Sequence, residues 1–179
     1  MSALDTIAII PLLILGAISG EDYTSLNYYK YLDPIGRKIM EKVNSSINVT
    51  YWPKENPPDC KSGNEIYFGY VTYPGLLDSS DFVICTYNIY NYFGPNEFEN
   101  QINYTVRHEA AHSAQFCKGG NRLLGVDPNK FTGYPNERVY GPSSIYKNLS
   151  YREQRMELEA FALESEPYFI FRNLERFCF

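Results

Sequence analysis

Residues 105–120 read TVRHEAAHSAQFCKGG and contain both histidines of the 179-residue chain. His108, Glu109 and His112 follow the spacing H-E-x-x-H. Because residues four positions apart lie on one face of an α-helix, both imidazoles can bind the same metal ion. The glutamate beside the first histidine can then accept a proton from a water molecule. The motif predicts a zinc-binding helix with Glu109 as general base. The alternative is a chance match whose histidines only pack or face solvent.

The flanking residues predict a helix of about 20 residues around the motif. Asn96 is placed to cap its N-terminus, and Glu99 stands three residues later at the capping-box position. Two glycines at residues 119–120 are typical of a helix C-terminus. The motif therefore falls in the C-terminal half of a long helix, which is the context that an H-E-x-x-H metal site requires.

A second helix is predicted further along the chain. Ser150 is placed to cap it, with Glu153 three residues later, and the helix is expected to end at Pro167. The aromatic residues 168–179 are expected to form a short closing helix. Residues 121–148 contain several prolines and glycines without a periodic pattern, so this segment is predicted to be a long loop.

The first half of the chain predicts one helix and a small β-sheet. Apolar residues at three- and four-residue steps indicate a helix over residues 25–43, with Pro34 as a point where it kinks or breaks. Three runs rich in Tyr, Ile, Val and Phe predict strands at residues 47–52, 65–73 and 82–90. Together with the downstream helices, these runs place the chain in the α+β class.

Composition and the N-terminus set limits on localisation and partners. A net charge of −5 without a long Lys/Arg run argues against a nucleic-acid partner. Residues 1–20 are expected to form an apolar N-terminal segment, and residues 21–179 a single domain. The uncharged run at residues 7–19 has the length of a signal-peptide core but lacks a basic flank. It predicts export or a membrane anchor, with membrane contact through this run, and the alternative is a segment buried against the domain or a partner.

The cysteines support export. Four are present, none in a C-x-x-C pair, so a cysteine zinc site is disfavoured and two disulfides are expected. Three pairings are possible, and we expect Cys117 to be bridged to another part of the domain, with Cys85 as the first choice. Four free thiols in a reducing cytosol remain the alternative. Four N-x-[ST] triplets are also present, but such triplets are common by chance, and Asn103 falls within the metal helix.

The third metal ligand has to come from outside the motif. Catalytic zinc sites usually have three protein ligands and one open position. No third histidine exists, and residues 114–119 cannot complete the extended three-histidine form of the motif. A carboxylate is therefore expected as the third ligand, as in sites with two histidines and one glutamate.

On these residues the chain resembles the glutamate-zincin metallopeptidases, the thermolysin-like class. In that class the third ligand is a glutamate on a second helix, often within the pattern E-x-x-A-D. Residues 157–161 read ELEAF, so Glu157 matches the ligand position and Ala160 the small residue. Phe161 stands where the family often has an aspartate that hydrogen-bonds a zinc-bound histidine. The resemblance implies that a backbone carbonyl or another carboxylate takes over that contact.

Glu159 is the alternative third ligand, because it also precedes an alanine by three residues. The resemblance further implies a zincin-like fold, zinc as cofactor, a peptide or protein substrate and hydrolysis with Glu109 as base. Family enzymes often add a side chain that stabilises the oxyanion. The candidates here are Tyr134, Tyr140, Tyr151, Arg152 and Arg155.

Two other functions are open at this stage. One is a catalytically silent protein of the same fold with a structural or interaction role. The other is a membrane-associated assembly subunit, which the apolar N-terminus suggests. The presence of Glu109 favours the enzyme, because a purely structural metal site does not need a base beside its ligands. One of the three predicted strands is expected to serve as an edge that pairs with an extended substrate.

Overall fold

The computed structural model describes residues 23–61, 67–72, 79–120, 122–127 and 145–179. Within these ranges the chain is an α+β protein, as predicted, with a three-stranded sheet and five α-helices. The apolar N-terminal run and most of the predicted loop at residues 121–148 lie outside the described residues. The strands are β1 Thr50–Glu55, β2 Gly69–Val71 and β3 Ser79–Ile84. The helices are α1 Pro34–Asn44, α2 Thr86–Phe93, α3 Phe98–Cys117, α4 Tyr151–Leu163 and α5 Pro167–Phe177.

The sheet has the strand order β1-β3-β2, so β3 lies in the centre. It runs parallel to β1 and antiparallel to β2. The expected third strand is too long, because β3 ends at Ile84 and a helix begins at Thr86. Asn56 explains the difference: its Oδ1 accepts a hydrogen bond from the Tyr87 amide in the first turn of α2. This contact with a distant residue outweighs the strand propensity of the tyrosines.

One predicted helix start is wrong, one is confirmed, and one predicted helix is divided at its proline. The expected helix over residues 25–43 breaks before Pro34, as the proline indicated: Asn27–Tyr31 is a 3-10 helix, and α1 begins at Pro34, where proline at the first position loses no helical hydrogen bond. Asp33 caps it by accepting from the Gly36 amide at 2.6 Å. Helix α3 begins with Glu97 at the N-cap and without a side-chain cap, so the Asn96 capping box does not form. The Ser150 capping box is present at the start of α4.

Helix α3 forms the centre of the core. Thirteen of its residues are buried, and it packs against the sheet, α1, α2, α4 and α5. The closing helix predicted at the C-terminus is present as α5, and its Ile170 and Leu174 are fully buried. None of the helices in the described ranges combines the length and the apolar composition that a bilayer-spanning helix needs.

Asn103 joins α3 to the chain segment before α1. Its side chain is 6% exposed. The Oδ1 atom accepts a hydrogen bond from the Asp33 amide at 2.9 Å. The Nδ2 atom donates to the carbonyl oxygens of Tyr31 and Glu99, each at 2.9 Å. Both polar atoms of this side chain therefore form hydrogen bonds within the protein.

The four cysteines form two disulfides, Cys60–Cys85 and Cys117–Cys178. The expected bridge from Cys117 to another part of the domain is present, but the choice of Cys85 as its partner is wrong. Cys117 ends α3 and packs with Cys178 in the main core, whereas Cys85 follows the central strand and packs with Cys60 in a separate buried cluster. Two disulfides are typical of proteins that fold in an oxidising compartment.

The Cys117–Cys178 bridge should be the more stabilising of the two. It spans 61 residues, against 25 for Cys60–Cys85, and a longer closed loop removes more entropy from the unfolded chain. We expect the double variant Cys117→Ala/Cys178→Ala to lose about 4 kcal/mol of unfolding free energy and Cys60→Ala/Cys85→Ala about 3.5 kcal/mol. Urea unfolding of the three proteins measures both values. Losses below about 1 kcal/mol for both variants would contradict the expectation.

Candidate metal centre

Three side chains from α3 and α4 converge at one point. The Nε2 atoms of His108 and His112 are 3.2 Å apart. Glu157 Oε2 lies 3.2 Å from His108 Nε2, and Glu157 Oε1 lies 3.3 Å from His112 Nε2. Zinc ligands at 2.0–2.1 Å with tetrahedral angles are separated by about 3.3 Å. The three donor atoms therefore have the spacing of a group that can hold a metal ion.

Glu159, the alternative ligand, does not belong to this group. It is fully buried on α4, and its carboxylate accepts from Gln115 Nε2 at 2.9 Å. It also accepts from three successive backbone amides at 2.6–2.9 Å, those of Leu124, Gly125 and Val126. Glu157 reaches the two histidines and Glu159 does not, because residues two positions apart on a helix point in different directions.

His108 contacts a carboxylate, but not from position 161, where the resemblance places an aspartate. His108 Nδ1 donates to Glu164 Oε1 at 3.1 Å. Phe161, at the expected aspartate position, packs its ring on the His108 imidazole with centroids 4.5 Å apart. Arg107 holds Glu164 from the other side, donating from Nη1 to its backbone oxygen at 3.0 Å and pairing with Asp33. No sequence pattern marked Glu164 as a partner of His108, although it lies three residues after Phe161.

His112 has a different supporting partner. Its Nδ1 lies 2.8 Å from Gln115 Oε1, within the same helix. Gln115 is fully buried. Gln115 was not predicted from the sequence either, although its spacing of three from His112 places it on the same face of the helix.

Glu109 lies beside the three donors without joining them. Its side chain is 4% exposed and lines a cavity of about 370 Å³, together with His108 and His112. Strand β2, an edge of the described sheet, also lines this cavity, and only glycine fits at its first position. A Cβ atom on Gly69 would lie 2.6 Å from Thr105 Cγ2 and 3.1 Å from Glu109 Cγ. The close approach of β2 to α3 thus brings a sheet edge next to the candidate base.

Residues 28–179 match the model of a family described as Domain of unknown function (DUF8637). The chain belongs to this family. The matched segment contains all five helices, the sheet, the metal-binding group and Glu109. No curated protein and no solved structure matches the chain.

The DUF8637 site carries a dense set of interacting charges. Burial alone would lower the pKa of His108, but hydrogen bonds to the Glu157 and Glu164 carboxylates outweigh it and raise that pKa to about 10. Burial opposes ionisation of Glu157, yet the two histidines hold its pKa well below the usual range. Burial raises the pKa of Glu109 to about 7, although both histidines act in the opposite direction. The carboxylates therefore favour a cation between the histidines.

Among the oxyanion candidates predicted from the sequence, none of those that lie within the described residues lines the cavity of this DUF8637 domain. Tyr134 and Tyr140 lie outside the described residues. The other three, Tyr151, Arg152 and Arg155, do not line the cavity, and Tyr151 is 74% exposed. Three other tyrosines do line it, namely Tyr67, Tyr70 and Tyr146. Tyrosine side chains thus line the site, but from different parts of the chain than expected.

Proposed function

We propose that this protein is a zinc-dependent peptidase with a zincin-like arrangement of its metal helix, second helix and sheet. The observation that carries the proposal is the triangle of donor atoms from His108, His112 and Glu157, with Glu109 beside it in an open cavity. A structural zinc site is normally closed by four protein ligands, whereas a catalytic one keeps a position open. Within the described residues the group has three members, which supports the catalytic type.

The donor set supports zinc as the metal. Two imidazole nitrogens and one carboxylate oxygen are the ligands of two-histidine, one-glutamate zinc enzymes. Both histidines have the second ring nitrogen occupied by a protein acceptor, which leaves Nε2 for a metal. When bound, zinc would polarise a substrate carbonyl and lower the pKa of a water molecule to about 7.

Glu109 supplies the base in this proposal. Its carboxylate faces the cavity next to the ligand histidines, so it can accept a proton from the attacking water. The same group can then donate that proton to the leaving amine. Because Glu109 and both histidines are buried, the proton transfer takes place in surroundings where such charges interact strongly.

Strand β2 supports a peptide as the substrate class. It is an edge of the described sheet, and its three residues, Gly69, Tyr70 and Val71, all line the cavity. An exposed edge can bind an extended peptide by main-chain hydrogen bonds. The apolar side chains of Phe116, Met156 and Leu149 line the same cavity and offer a pocket for an apolar substrate side chain. The two disulfides support an exported enzyme, whether secreted, periplasmic or membrane-anchored.

Metal analysis and peptide cleavage together test the proposal. We expect the purified full chain to contain zinc and to cleave members of an extended-peptide library, with activity removed by a chelator and restored by added zinc. A protein that binds zinc but cleaves no peptide would favour the silent scaffold. A protein that takes up no zinc near neutral pH would overturn the proposed metal site itself.

A further inference from the structure

Two fully buried polar side chains connect a metal ligand to the backbone of a different segment. His112 Nδ1 lies 2.8 Å from Gln115 Oε1. Gln115 Nε2 then donates to Glu159 Oε2 at 2.9 Å and to the Met156 carbonyl oxygen at 3.3 Å. Gln115 and Glu159 are both 0% exposed. A buried polar group of this kind is costly unless every partner is satisfied, so its connectivity constrains the proton positions.

The backbone amides that contact Glu159 determine which group donates and which accepts in each of these hydrogen bonds. The backbone amides of Leu124, Gly125 and Val126 can only donate, so Glu159 must accept from them. A carboxylate accepts without donating, so the NH₂ group of Gln115 must face it. The Met156 carbonyl requires the same orientation. Gln115 Oε1 therefore faces His112 as an acceptor.

We propose that Gln115 and Glu159 are positioning residues that keep a proton on His112 Nδ1 and thereby leave Nε2 free to bind the metal. The inference rests on the proposed metal site and deepens it. The three backbone N–H groups donate to Glu159, and Glu159 also accepts from the NH₂ group of Gln115. The remaining oxygen of Gln115 then accepts a hydrogen bond from His112 Nδ1. His108 is held separately by Glu164, so the two ligands have independent supports.

The two histidines make the proton positions directly measurable. Because His108 and His112 are the only histidines in the chain, histidine-selective ¹⁵N labelling gives NMR signals from two imidazoles alone. We expect wild-type protein to show two slowly exchanging Nδ1 protons, with and without zinc. The variant Gln115→Met keeps a side chain of similar length but removes the acceptor. Its His112 Nδ1 proton should exchange rapidly with water, whereas that of His108 should still exchange slowly.

Zinc affinity provides the second readout. Loss of a residue that supports a metal ligand typically lowers metal affinity or activity about 10–100-fold. We expect Gln115→Met to show a loss of this size in chelator competition. Glu159→Gln should show a similar loss, because all of its hydrogen-bond partners are donors and an amide NH₂ finds no acceptor there. Ser113→Ala is the matched control, since it removes a buried hydrogen bond of the same helix to a backbone oxygen.

The control should leave zinc affinity and both histidine signals unchanged. Wild-type affinity together with slow exchange of the His112 Nδ1 proton in Gln115→Met would overturn the proposal, and so would equal losses in Ser113→Ala. Neither readout involves hydrolysis, so an inactive wild-type protein does not affect the result. If wild-type protein binds no zinc, the proposed metal site fails, while the Nδ1 protons still decide whether the two residues position His112.

Discussion

Glu109→Gln should lower the rate of peptide hydrolysis by about 10²–10⁴-fold while the zinc content stays at the wild-type level. The amide keeps the size of the side chain but cannot accept a proton from water. Glu109 is outside the group of metal-binding atoms, so the ligands remain complete. Its Cγ also stays in place against Gly69, which keeps β2 close to α3. The change therefore separates proton transfer from metal binding.

Glu153→Gln is the matched control for this prediction. Glu153 lines the same cavity, but it lies in the first turn of α4, where its carboxylate accepts from the Ser150 amide at 2.8 Å. Glutamine can keep that capping contact. Hydrolysis rates and zinc content of both variants are measured beside wild type. Equal rates in Glu109→Gln and wild type would remove Glu109 from the mechanism, and equal losses in both variants would point to a general effect of charge.

Glu157→Gln should cause the largest loss of zinc affinity of any single glutamate substitution. The two oxygens of Glu157 lie 3.2–3.3 Å from the two histidine nitrogens. The amide removes the negative charge and leaves one oxygen, so the metal loses a charged ligand. We expect the loss to exceed the about 10–100-fold typical of a supporting residue, and activity to fall with it. Chelator competition measures the affinity.

A comparison with Glu159→Gln tests the choice of third ligand. Both glutamates are on α4, two positions apart, and the same substitution is made in each. Glu159 is saturated by hydrogen bonds from Gln115 and the backbone, so its loss should weaken zinc binding less than the loss of Glu157. A greater loss of zinc in Glu159→Gln than in Glu157→Gln would move the third ligand by two residues.

Local signals explain what the sequence predicted well. Helix α4 and its cap at Ser150 follow from contacts within one turn, so residue spacing is enough to place them. The proximity of His108 and His112 follows from helix geometry alone. The proposed role of Glu157 depended on resemblance to a family, because nothing local distinguishes it from Glu159.

Contacts between distant residues explain what the sequence did not predict. The tyrosines after Ile84 favour a strand, and the helix that starts there is explained by contacts with residues about thirty positions earlier, such as the Asn56 side chain. Disulfide pairing depends on which parts of the chain lie close together in the fold, so the sequence did not distinguish Cys178 from Cys85 as the partner of Cys117. Glu164 lies beyond the helical part of α4, where no motif marks it.

The packing of Asn103 bears on how the protein can be produced. Residues 103–105 read NYT, an acceptor sequence for N-linked carbohydrate in a secretory pathway that glycosylates. Carbohydrate is attached at Nδ2, the atom that donates to Tyr31 and Glu99 in the folded chain. A sugar placed there before folding would hold apart α3 and the segment before α1. A host that forms disulfides without adding glycans, such as a bacterial periplasm, avoids that obstruction.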